Sequence, residues 1–508
     1  MNRIKRNSLR RRKARIAARL ENSSSEDRGR PMLDPGNLRY EMAHRTRAIA
    51  AGGIGAMLAL AKKLGLVRRI DEGLHLLKIH RPYHESDHVL NIALNVLSGG
   101  QCLEDLELRR NDETFLDALG TERIPDPTTA GDFCRRFETA DIRRLMDIID
   151  QTRLEVWKQQ PADFFKQAIV DMDGTLVPTT GECKQGMDIS YKGIWGYHPL
   201  ILSLANTGEV LRVVNRPGNR PSHEGADVEV DRVIRLCQEA GFEKILLRGD
   251  TDFTQTRRLD NWDATEGVQF IFGMDVRPTT HILCDDLPEE IWEFLERPPR
   301  YEVKTQPRAR PENVKQQIVQ VREFKNITLV CETIAECKYR PKACRHEYRL
   351  IAVRKDVAIQ NDPQGQLFED YRYFLYLTND WETPAEEIVF SANDRCHQEN
   401  LIEQQKNGVR SLRAPLDSLE SNWAYMLITA LAWNLKAWFG LLLPVSGRWE
   451  QKHRAEKDLV LRMEFKRFVN AFMLIPCQIV RTGRTLVYRL LSWNPHVPIF
   501  RRLLMALE

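Results

Sequence analysis

Two aspartates within one apolar segment are the residues of this chain that most directly suggest chemistry. The segment Gln167–Val177 is rich in β-branched residues and holds Asp171 and Asp173 two positions apart. Successive side chains of a strand point to opposite faces, so both carboxylates are expected on one face. Carboxylates on a largely buried strand are costly unless a cation or hydrogen-bond donors compensate them. Metal binding is therefore the first hypothesis for this segment.

Two later segments add charged groups at suggestive positions. The apolar run Lys244–Asp250 predicts a strand that ends in a second carboxylate. A helix is predicted over Asn393–Asn407, and it contains Arg395, then Glu399 four residues later and Lys406 seven residues after that. These spacings place all three side chains on one helix face. Two cations beside a carboxylate can hold phosphate oxygens. Taken alone, however, the spacing of Arg395 and Glu399 is better explained by an ordinary ion pair.

The elements that must position these residues follow from the local patterns. Ala168–Val177 is the first predicted strand, and Tyr197–Ala205 and Val210–Val214 form a hairpin around the tight turn at Thr207 and Gly208. An amphipathic helix over Gly225–Gly241 precedes the strand that ends at Asp250. The next elements are a helix over 254–261 and a strand over 268–274. This order predicts an α/β domain.

Two known patterns contain such a first strand. The Asp-x-Asp-Gly-Thr motif of haloacid dehalogenase-type phosphatases would make Asp171 a nucleophile, but that fold alternates parallel strands with helices, and here a hairpin follows. An RNase H-like fold begins with three antiparallel strands, the first holding an Asp, then a helix and a fourth strand with a second Asp. A third carboxylate follows on a later helix. Asp173, Asp250 and Glu399 occur in this order.

Three sequence blocks carry a resemblance to one family. The chain resembles DDE transposases of bacterial insertion sequences, in the cut-and-paste group with a β-strand insertion before the catalytic glutamate. The third block matches the Arg-x3-Glu-x6-Lys signature in register, although Ala392 stands where that signature usually has Tyr. The blocks are Asp171–Thr175 with Gly196–Leu200 and Arg216–Asn219, then Leu247–Phe253, then Arg395–Lys406.

The resemblance implies the composition of the active site. Asp173, Asp250 and Glu399 would be the catalytic residues and would hold two Mg²⁺ ions, with Mn²⁺ able to substitute. Asp171 is the rival of Asp173 as the first metal ligand, and Asp252 is a weaker rival of Asp250.

The resemblance also implies the substrate and partners. Arg395, Lys406 and Arg248 would bind DNA phosphates, and the substrates would be the terminal inverted repeats of the element and target DNA, synapsed by a homodimer. Aromatic residues of the insertion, such as Trp292 or Tyr301, are candidates for stacking on a flipped base, although core packing is their more usual role. A phosphatase, a metal-dependent nuclease without strand transfer and an inactive DNA-binding relative remain alternatives.

The segments around the core complete a six-part layout. Residues 275–378 alternate short β-patterned runs with turns, among them His281–Leu283, Arg300–Val303 and Gln317–Arg322. The predicted parts are a basic flexible arm (1–35), a helical N-terminal DNA-binding region (36–160), the first part of an RNase H-like core (161–274), a β-rich insertion (275–378), the second part of the core with the Glu helix (379–444) and a mostly helical C-terminal region (445–508).

Composition limits the class of protein. A net charge of +4 with 29% charged residues excludes a general polycation, so local basic clusters matter more than the total. The apolar stretch Trp423–Leu443 contains Asn434 and Lys436, which favours a buried helix over a membrane span. The basic N-terminus leads into Ser23–Ser25 and not into an apolar segment, and ten cysteines show no repeated spacing. We therefore expect a cytoplasmic protein with no membrane partner. The resemblance implies that it is bacterial and associated with the nucleoid when bound to DNA.

Overall fold

A nine-stranded mixed sheet is the largest sheet of the protein. The structure, a computed structural model, describes residues 3–21, 38–39, 46–181, 183–297, 327–359, 371–483 and 485–507. Two three-stranded sheets accompany the large sheet among these residues. Helices precede, interrupt and follow its strands, so the predicted α/β class is confirmed.

The strands are numbered in chain order. They are β1 (Ala48–Ile49), β2 (Gln167–Gly174), β3 (Val177–Pro178), β4 (Asp188–Ile189), β5 (Trp195–Tyr197), β6 (Leu200–Leu204), β7 (Glu209–Val214), β8 (Lys244–Gly249), β9 (Val268–Met274), β10 (Glu293–Phe294), β11 (Ile327–Tyr339), β12 (Tyr348–Ile359), β13 (Tyr371–Thr378), β14 (Cys477–Thr482) and β15 (Thr485–Leu490). The large sheet has the order β10-β11-β12-β13-β9-β8-β2-β6-β7, and the small sheets have the orders β3-β5-β4 and β1-β14-β15.

The α-helices are numbered in the same way. They are α1 (Arg3–Glu21), α2 (Ile54–Lys63), α3 (Leu66–Gly73), α4 (Glu85–Leu97), α5 (Leu106–Arg110), α6 (Glu113–Leu119), α7 (Pro127–Arg135), α8 (Thr139–Trp157), α9 (Ala226–Ala240), α10 (Thr256–Asp263), α11 (Pro278–Asp285), α12 (Ala385–Asp394), α13 (Cys396–Glu403), α14 (Leu419–Leu441), α15 (Glu450–Arg462), α16 (Phe465–Phe468) and α17 (Val497–Leu507). Short 3-10 and π-helical turns are named below where they matter.

The strand β2 lies between an antiparallel and a parallel neighbour. The predicted hairpin is confirmed, since β6 pairs antiparallel with both β2 and β7. Its turn needs a left-handed residue, which Gly208 provides with a φ of 70°. The helix α9 then leads to β8, which is parallel to β2 and to β9. The strands of the predicted insertion extend this sheet, because β13 pairs antiparallel with β9.

The apolar helix α14 is buried inside the protein, as the sequence predicts. Every residue over 421–441 is buried. The amide of Asn434 accepts a hydrogen bond from the Val210 N–H and donates one to the Val210 carbonyl oxygen, both at 2.9 Å. These bonds satisfy backbone groups of β7, the edge strand of the large sheet. No helix within the described ranges is long and apolar enough to cross a membrane.

One buried carboxylate joins the N-terminal helices to the sheet. Glu209 in β7 is fully buried and accepts hydrogen bonds from Arg153 Nε (3.1 Å) and the indole nitrogens of Trp157 (2.9 Å) and Trp438 (2.8 Å). Thr207 Oγ1 donates a fourth bond at 2.8 Å. Four donors compensate the charge of a carboxylate that could not otherwise be buried. The helices α8 and α14 are thereby fixed against the hairpin that flanks β2.

Two segments differ from the predicted elements. Arg3–Glu21 forms the helix α1 where a flexible arm is expected, because its Arg, Lys, Ala and Leu residues are good helix formers even without a clear apolar stripe. His281–Leu283 lies in α11 and not in a strand, since Pro278 at the first helical turn starts a helix that a three-residue β pattern cannot override. The predicted strands over 300–303 and 317–322 lie outside the described residues.

Candidate active site

The strand β2 carries the two aspartates that attract attention in the sequence. Asp171 pairs with Ser203 of β6 and with Arg248 of β8, and Asp173 pairs with Ile201. Because the two aspartates are two positions apart, both side chains lie on the same face. Their surroundings differ sharply: the side chain of Asp171 is 1% exposed and that of Asp173 is 18% exposed.

Asp171 is paired on both of its oxygens. Arg248 Nε lies 2.7 Å from Oδ1, and Nη2 lies 2.9 Å from Oδ2, a bidentate ion pair across two parallel strands. The third nitrogen, Nη1, donates to the carbonyl oxygen of Ser391 at 2.7 Å. Burial raises the pKa of Asp171, and the guanidinium of Arg248 opposes that rise. The predicted role of Arg248 in binding DNA phosphates therefore needs correction, because its buried guanidinium is committed within the protein.

Asp250 lies level with Asp173 at the end of the neighbouring strand. Asp171 and Arg248 are the last pair in the parallel register of β2 and β8, and Asp173 and Asp250 each follow two residues further along the chain. Asp250 is near enough to raise the pKa of Asp173. Asp250 accepts a hydrogen bond from the Asp252 N–H at 3.0 Å and so caps the short 3-10 helix over 251–253. The carboxyl ends of two parallel strands thus bring together the carboxylates predicted to act as a pair.

The electrostatics of the pair are unfavourable in the absence of a cation. Burial raises the pKa of Asp173 to about 6, and repulsion from Asp250 and Glu399 adds to this, while Arg395 opposes it. Burial likewise raises the pKa of Asp250, with Arg395 again opposing and Asp252 adding to the rise. Neighbouring carboxylates whose charged forms are disfavoured in this way favour binding of a cation.

The helix α13 carries Glu399 past this edge of the sheet. Its position is set by the preceding residue, Gln398, which is 1% exposed. The amide Nε2 of Gln398 donates to the Ile201 carbonyl oxygen at 3.2 Å, and its oxygen accepts a hydrogen bond from Ser203 Oγ. Ile201 and Ser203 are the β6 partners of the two aspartates of β2. Buried Gln398 therefore anchors the helix beside these aspartates, while Glu399 itself is exposed.

Arg395 forms an ion pair with Asp173 and not with Glu399. The single helix predicted over Asn393–Asn407 is divided, because α12 ends at Asp394 and α13 begins at Cys396. Arg395 lies at this junction, where its Nη1 is 3.9 Å from Asp173 Oδ2. The spacing suggests an ion pair between Arg395 and Glu399, but Arg395 instead pairs with Asp173 of β2.

Lys406 lies in a π-helical turn over 404–408 that continues α13. Because a π-helical turn contains more residues than an α-helical turn, Lys406 does not point in the direction around the helix axis that a 3.6-residue period predicts. Lys406 nevertheless faces the same site: burial lowers the pKa of its ammonium, while the carboxylates of Glu403 and Asp173 oppose the change and Lys192 adds to it. A half-buried cation close to Asp173 is thus retained despite the irregular helix.

His198 is a neighbour of the site that the sequence did not single out. Its Nδ1–H donates to the Arg220 carbonyl oxygen at 2.7 Å, which leaves Nε2 as the accepting nitrogen of a neutral ring. A Cβ atom at Gly174 would lie 2.8 Å from Nε2, so the imidazole packs directly against the residue after Asp173. The block Gly196–Leu200 contributes to the family resemblance, but a single histidine within it carried no signal of its own.

The oxygens of the three carboxylates are spread more widely than a single-ion cage requires. Among the described residues, three possible ligand atoms lie within 4.8 Å of one another only at His80, His84 and Glu85, in the N-terminal helical region. Asp250 and Glu399 nevertheless both raise the pKa of Asp173, so the three carboxylates interact electrostatically.

Comparison with known proteins decides the family. The family model "Transposase DDE domain group 1" matches residues 45–508. The chain belongs to this family. Among solved structures, it is similar to the chain in a cryo-EM structure of a piggyBac transposase synaptic complex with hairpin DNA, at 12% identity and a TM-score of 0.35, with 84% of this chain and 82% of that chain covered. Comparison with curated proteins finds no match.

DDE transposase domains use divalent metal ions. The edge of the sheet that holds Asp173 and Asp250 is suited to such ions. Its donors are carboxylate oxygens, which are the ligands that hard divalent cations prefer. Burial and repulsion from the other carboxylates raise the pKa of Asp173. A bound cation would offset this repulsion. The donor set therefore fits a divalent metal.

Proposed function

We propose that this DDE transposase cleaves DNA at the terminal inverted repeats of a bacterial insertion sequence and joins the freed ends to target DNA. The observation that carries the proposal is the level placement of Asp173 and Asp250 at the ends of parallel strands, beside a helix anchored by Gln398. The substrate is double-stranded DNA, and a homodimer would synapse the two ends. The proposed site of action is the bacterial cytoplasm, on the nucleoid.

The topology supports an RNase H-like core for this activity. In the order β7-β6-β2-β8-β9, the first three strands of the core are antiparallel and the next two run parallel to β2, as that fold requires. The proposed core comprises residues 161–274 and 379–444. Residues 275–378 are the proposed β-rich insertion, residues 36–160 the proposed DNA-binding region, and residues 445–508 the C-terminal region.

The proposed metal ligands are Asp173, Asp250 and Glu399, holding two Mg²⁺ ions, for which Mn²⁺ can substitute. Bound ions of this kind supply Lewis-acid activation of the attacking oxygen and charge stabilisation of the leaving oxygen. Asp173 is favoured over Asp171, because Arg248 occupies both oxygens of Asp171. The role of the protein is to hold three oxygen donors at one edge of the sheet.

Arg395 and Lys406 are the proposed phosphate-binding residues. The ion pair between Arg395 and Asp173 is long, at 3.9 Å, so the guanidinium can turn to a phosphate oxygen without breaking a short hydrogen bond. Lys406 is half-buried near Asp173, so desolvation makes its ammonium a stronger partner for an incoming anion. Together they would orient the phosphodiester over the carboxylates.

The phosphatase alternative is disfavoured by the same ion pair. A nucleophilic Asp171 would need one free oxygen facing a phosphate, yet the residue is buried and both of its oxygens accept hydrogen bonds from Arg248. A hairpin, and not a helix, follows β2. A nuclease without strand transfer and an inactive DNA-binding relative keep the same site, so only activity separates them from a transposase.

Cleavage and joining of the element's own ends test the proposal. Asp173→Asn, Asp250→Asn and Glu399→Gln should each abolish strand cleavage with Mg²⁺ while DNA binding is retained, because only the metal ligands are lost. Asp286→Asn, an exposed carboxylate outside the site, is the matched control and should cleave normally. Cleavage by the Glu399→Gln variant at the wild-type rate would refute the assignment of that ligand.

The products distinguish the remaining alternatives. Cleaved ends that are never joined to target DNA would indicate a nuclease, and specific binding without any cleavage would indicate an inactive relative. Hydrolysis of a small phosphomonoester that is lost in Asp171→Asn but kept in Asp250→Asn would restore the phosphatase. The mass of the complex with paired ends tests the homodimer.

A further inference from the structure

Three side chains that can bind a metal ion meet where α4 begins, in the helical region before the large sheet. Ligand atoms of His80, His84 and Glu85 all lie within 4.8 Å of one another. The rings of His80 and His84 are stacked almost in parallel, with their centroids 4.6 Å apart. These residues come from α4 and the loop before it, and not from β2, β8 or α13, so the cluster is separate from the proposed catalytic site.

The carboxylate of Glu85 is buried and held in one orientation. Its side chain is 1% exposed. One oxygen, Oε1, accepts hydrogen bonds from the N–H groups of Leu76 and Leu77, both at 3.0 Å. The other oxygen, Oε2, accepts a hydrogen bond from His80 Nε2–H at 3.0 Å. Donors that fix one oxygen and leave the other directed at a second ligand are typical of the groups around a metal site.

The two imidazoles lie on the solvent side of this carboxylate. The side chain of His80 is 44% exposed, and His84 is also exposed. An ion can therefore reach the cluster from solvent, and both rings are free to rotate. A bound ion would take the place of the proton on His80 Nε2, and the neutral ring would then carry its proton on Nδ1.

The spacing of the atoms suits one small ion. In a tetrahedral zinc site the ligand atoms lie about 2.0–2.2 Å from the ion, and therefore about 3.4 Å from one another. His80 Nε2 and Glu85 Oε2 are already this close, at 3.0 Å. The ligand nitrogen of His84 lies within 4.8 Å of the other ligand atoms, and its side chain is exposed. Rotation of that side chain is therefore enough to complete the site.

The chemistry of the ligands selects the kind of ion. Two imidazole nitrogens and one carboxylate oxygen match Zn²⁺, whereas Mg²⁺ and Ca²⁺ prefer oxygen ligands alone. The partial positive charge of a helix N-terminus opposes a cation. Two carboxylates of the first turn of α4 offset this charge: Glu85 itself, and Asp87, whose Oδ2 accepts a hydrogen bond from the His84 N–H at 2.9 Å.

An ion at this place would hold an irregular loop against a buried helix. Residues 74–84 connect α3 to α4, and the hydrogen bonds from Leu76 and Leu77 to Glu85 fix the first half of this loop. His80 and His84 lie in its second half. The helix α4 packs against α3 and α14 inside the protein. Metal coordination would therefore tie the exposed half of the loop to the core of the helical region.

We propose that His80, His84 and Glu85 bind one Zn²⁺ ion, which fastens the loop over 74–84 to α4. Three protein ligands leave the fourth position of a tetrahedral ion to water. An ordinary hydrogen bond explains the pairing of His80 with Glu85, but it does not explain why a second imidazole is stacked beside them. The zinc site is independent of the catalytic carboxylates.

Titration of the untagged, metal-free, full-length protein with Zn²⁺ tests the proposal, with a chromogenic chelator as competitor and excess Mg²⁺ to occupy the carboxylates of the sheet. The wild type should bind one equivalent of Zn²⁺. His84→Ala and Glu85→Gln should each weaken this binding by at least about 100-fold, because even loss of a residue that only orients a ligand costs about 10- to 100-fold. Glu85→Gln keeps an oxygen acceptor for Leu76 and Leu77. His75→Ala, an exposed histidine of the same loop, is the matched control and should bind like the wild type.

Thermal unfolding gives a second measurement. Zn²⁺ should raise the Tm of the wild type and of His75→Ala but not that of His84→Ala, because an ion that binds only the folded state stabilises it. A wild type that binds no Zn²⁺, unchanged binding by His84→Ala, or equal loss in His75→Ala would each overturn the proposal.

The catalytic variants separate the zinc site from the proposed function. Asp173→Asn should keep the bound Zn²⁺; if this variant loses the ion and His84→Ala keeps it, the ion occupies the carboxylates of the sheet and the proposal is overturned. A wild type that binds one equivalent of Zn²⁺ but does not cleave element ends supports the zinc site and overturns the proposed function.

Discussion

Replacing Asp173 with asparagine should stabilise the metal-free protein, although it removes a proposed catalytic residue. Burial, together with repulsion from Asp250 and Glu399, raises the pKa of Asp173 from 3.8 to about 6. Between these two pH values the folded state binds more protons than the unfolded state, so stability falls as the pH rises through this window. Above about pH 6 the ionised carboxylate destabilises the fold by the full amount.

The magnitude follows from the two pKa values. A change from 3.8 to about 6 corresponds to about 3 kcal/mol of unfavourable free energy for the ionised group. The side chain is 18% exposed, and the asparagine amide still has to be buried. We therefore expect Asp173→Asn to raise the free energy of unfolding by about 1–3 kcal/mol near neutral pH, and by about half as much near pH 5, where the folded carboxyl is mostly protonated while the unfolded one is already ionised.

Urea unfolding with a chelator present, measured at both pH values, checks this expectation. Mg²⁺ should stabilise the wild type but have little effect on Asp173→Asn, because a ligand is missing. Asp171→Asn is the matched control two residues away: it leaves the buried guanidinium of Arg248 without its partner and should destabilise by about 3–5 kcal/mol. The reasoning is refuted if both variants shift stability in the same direction, or if the gain of Asp173→Asn is the same at both pH values.

Three further predictions concern residues around the site. Gln398→Ala should lower the cleavage rate about 100-fold with DNA binding unchanged, because the helix of Glu399 loses its anchor on β6; a wild-type rate in the cleavage assay would contradict this. Glu209→Ala should lower the free energy of unfolding by about 3–5 kcal/mol, since the buried N–H groups of Trp157 and Trp438 lose their acceptor and Arg153 loses one of its ion pairs; unchanged urea unfolding would count against it. Burial lowers the pKa of Lys436 from 10.5 to about 7, so its contribution to stability improves as the pH rises from about 7 to 10.5. Lys436→Met should therefore stabilise most below pH 7, and a stability curve with the wild-type pH dependence would oppose this.

Much of the secondary structure around the site follows from local pattern. The strand β2, the hairpin turning at Gly208, the helix α9 and the strand before Asp250 all occur where the sequence predicts them. Their signals are short-range: β-branched alternation, a Thr-Gly turn and a 3.6-residue apolar period. The burial of α14 was also predictable, because Asn434 and Lys436 within an apolar run favour a protein interior that supplies hydrogen bonds over lipid.

The misses arise where a local pattern is overridden or incomplete. The division of the predicted helix at Arg395 has no breaker residue in the sequence, and the π-helical turn around Lys406 has no periodic signal. Taken alone, the 3.6-residue period favours an ion pair between Arg395 and Glu399 as the alternative to phosphate binding, whereas Arg395 pairs with Asp173. His198 was missed because its relevance depends on Gly174 allowing the imidazole to lie beside β2.

The sequence by itself determined which carboxylates could form a site and the order of the elements that carry them. Asp171, Asp173, Asp250 and Glu399 are all visible in it, but it left open which aspartate of β2 faces a metal. Only the tertiary structure decided that both oxygens of Asp171 pair with Arg248, and it thereby favours Asp173 as the proposed ligand. The physical reason is register: Asp171 and Arg248 are 77 positions apart in the chain, and they meet only because β2 and β8 align as they do, which no local pattern encodes.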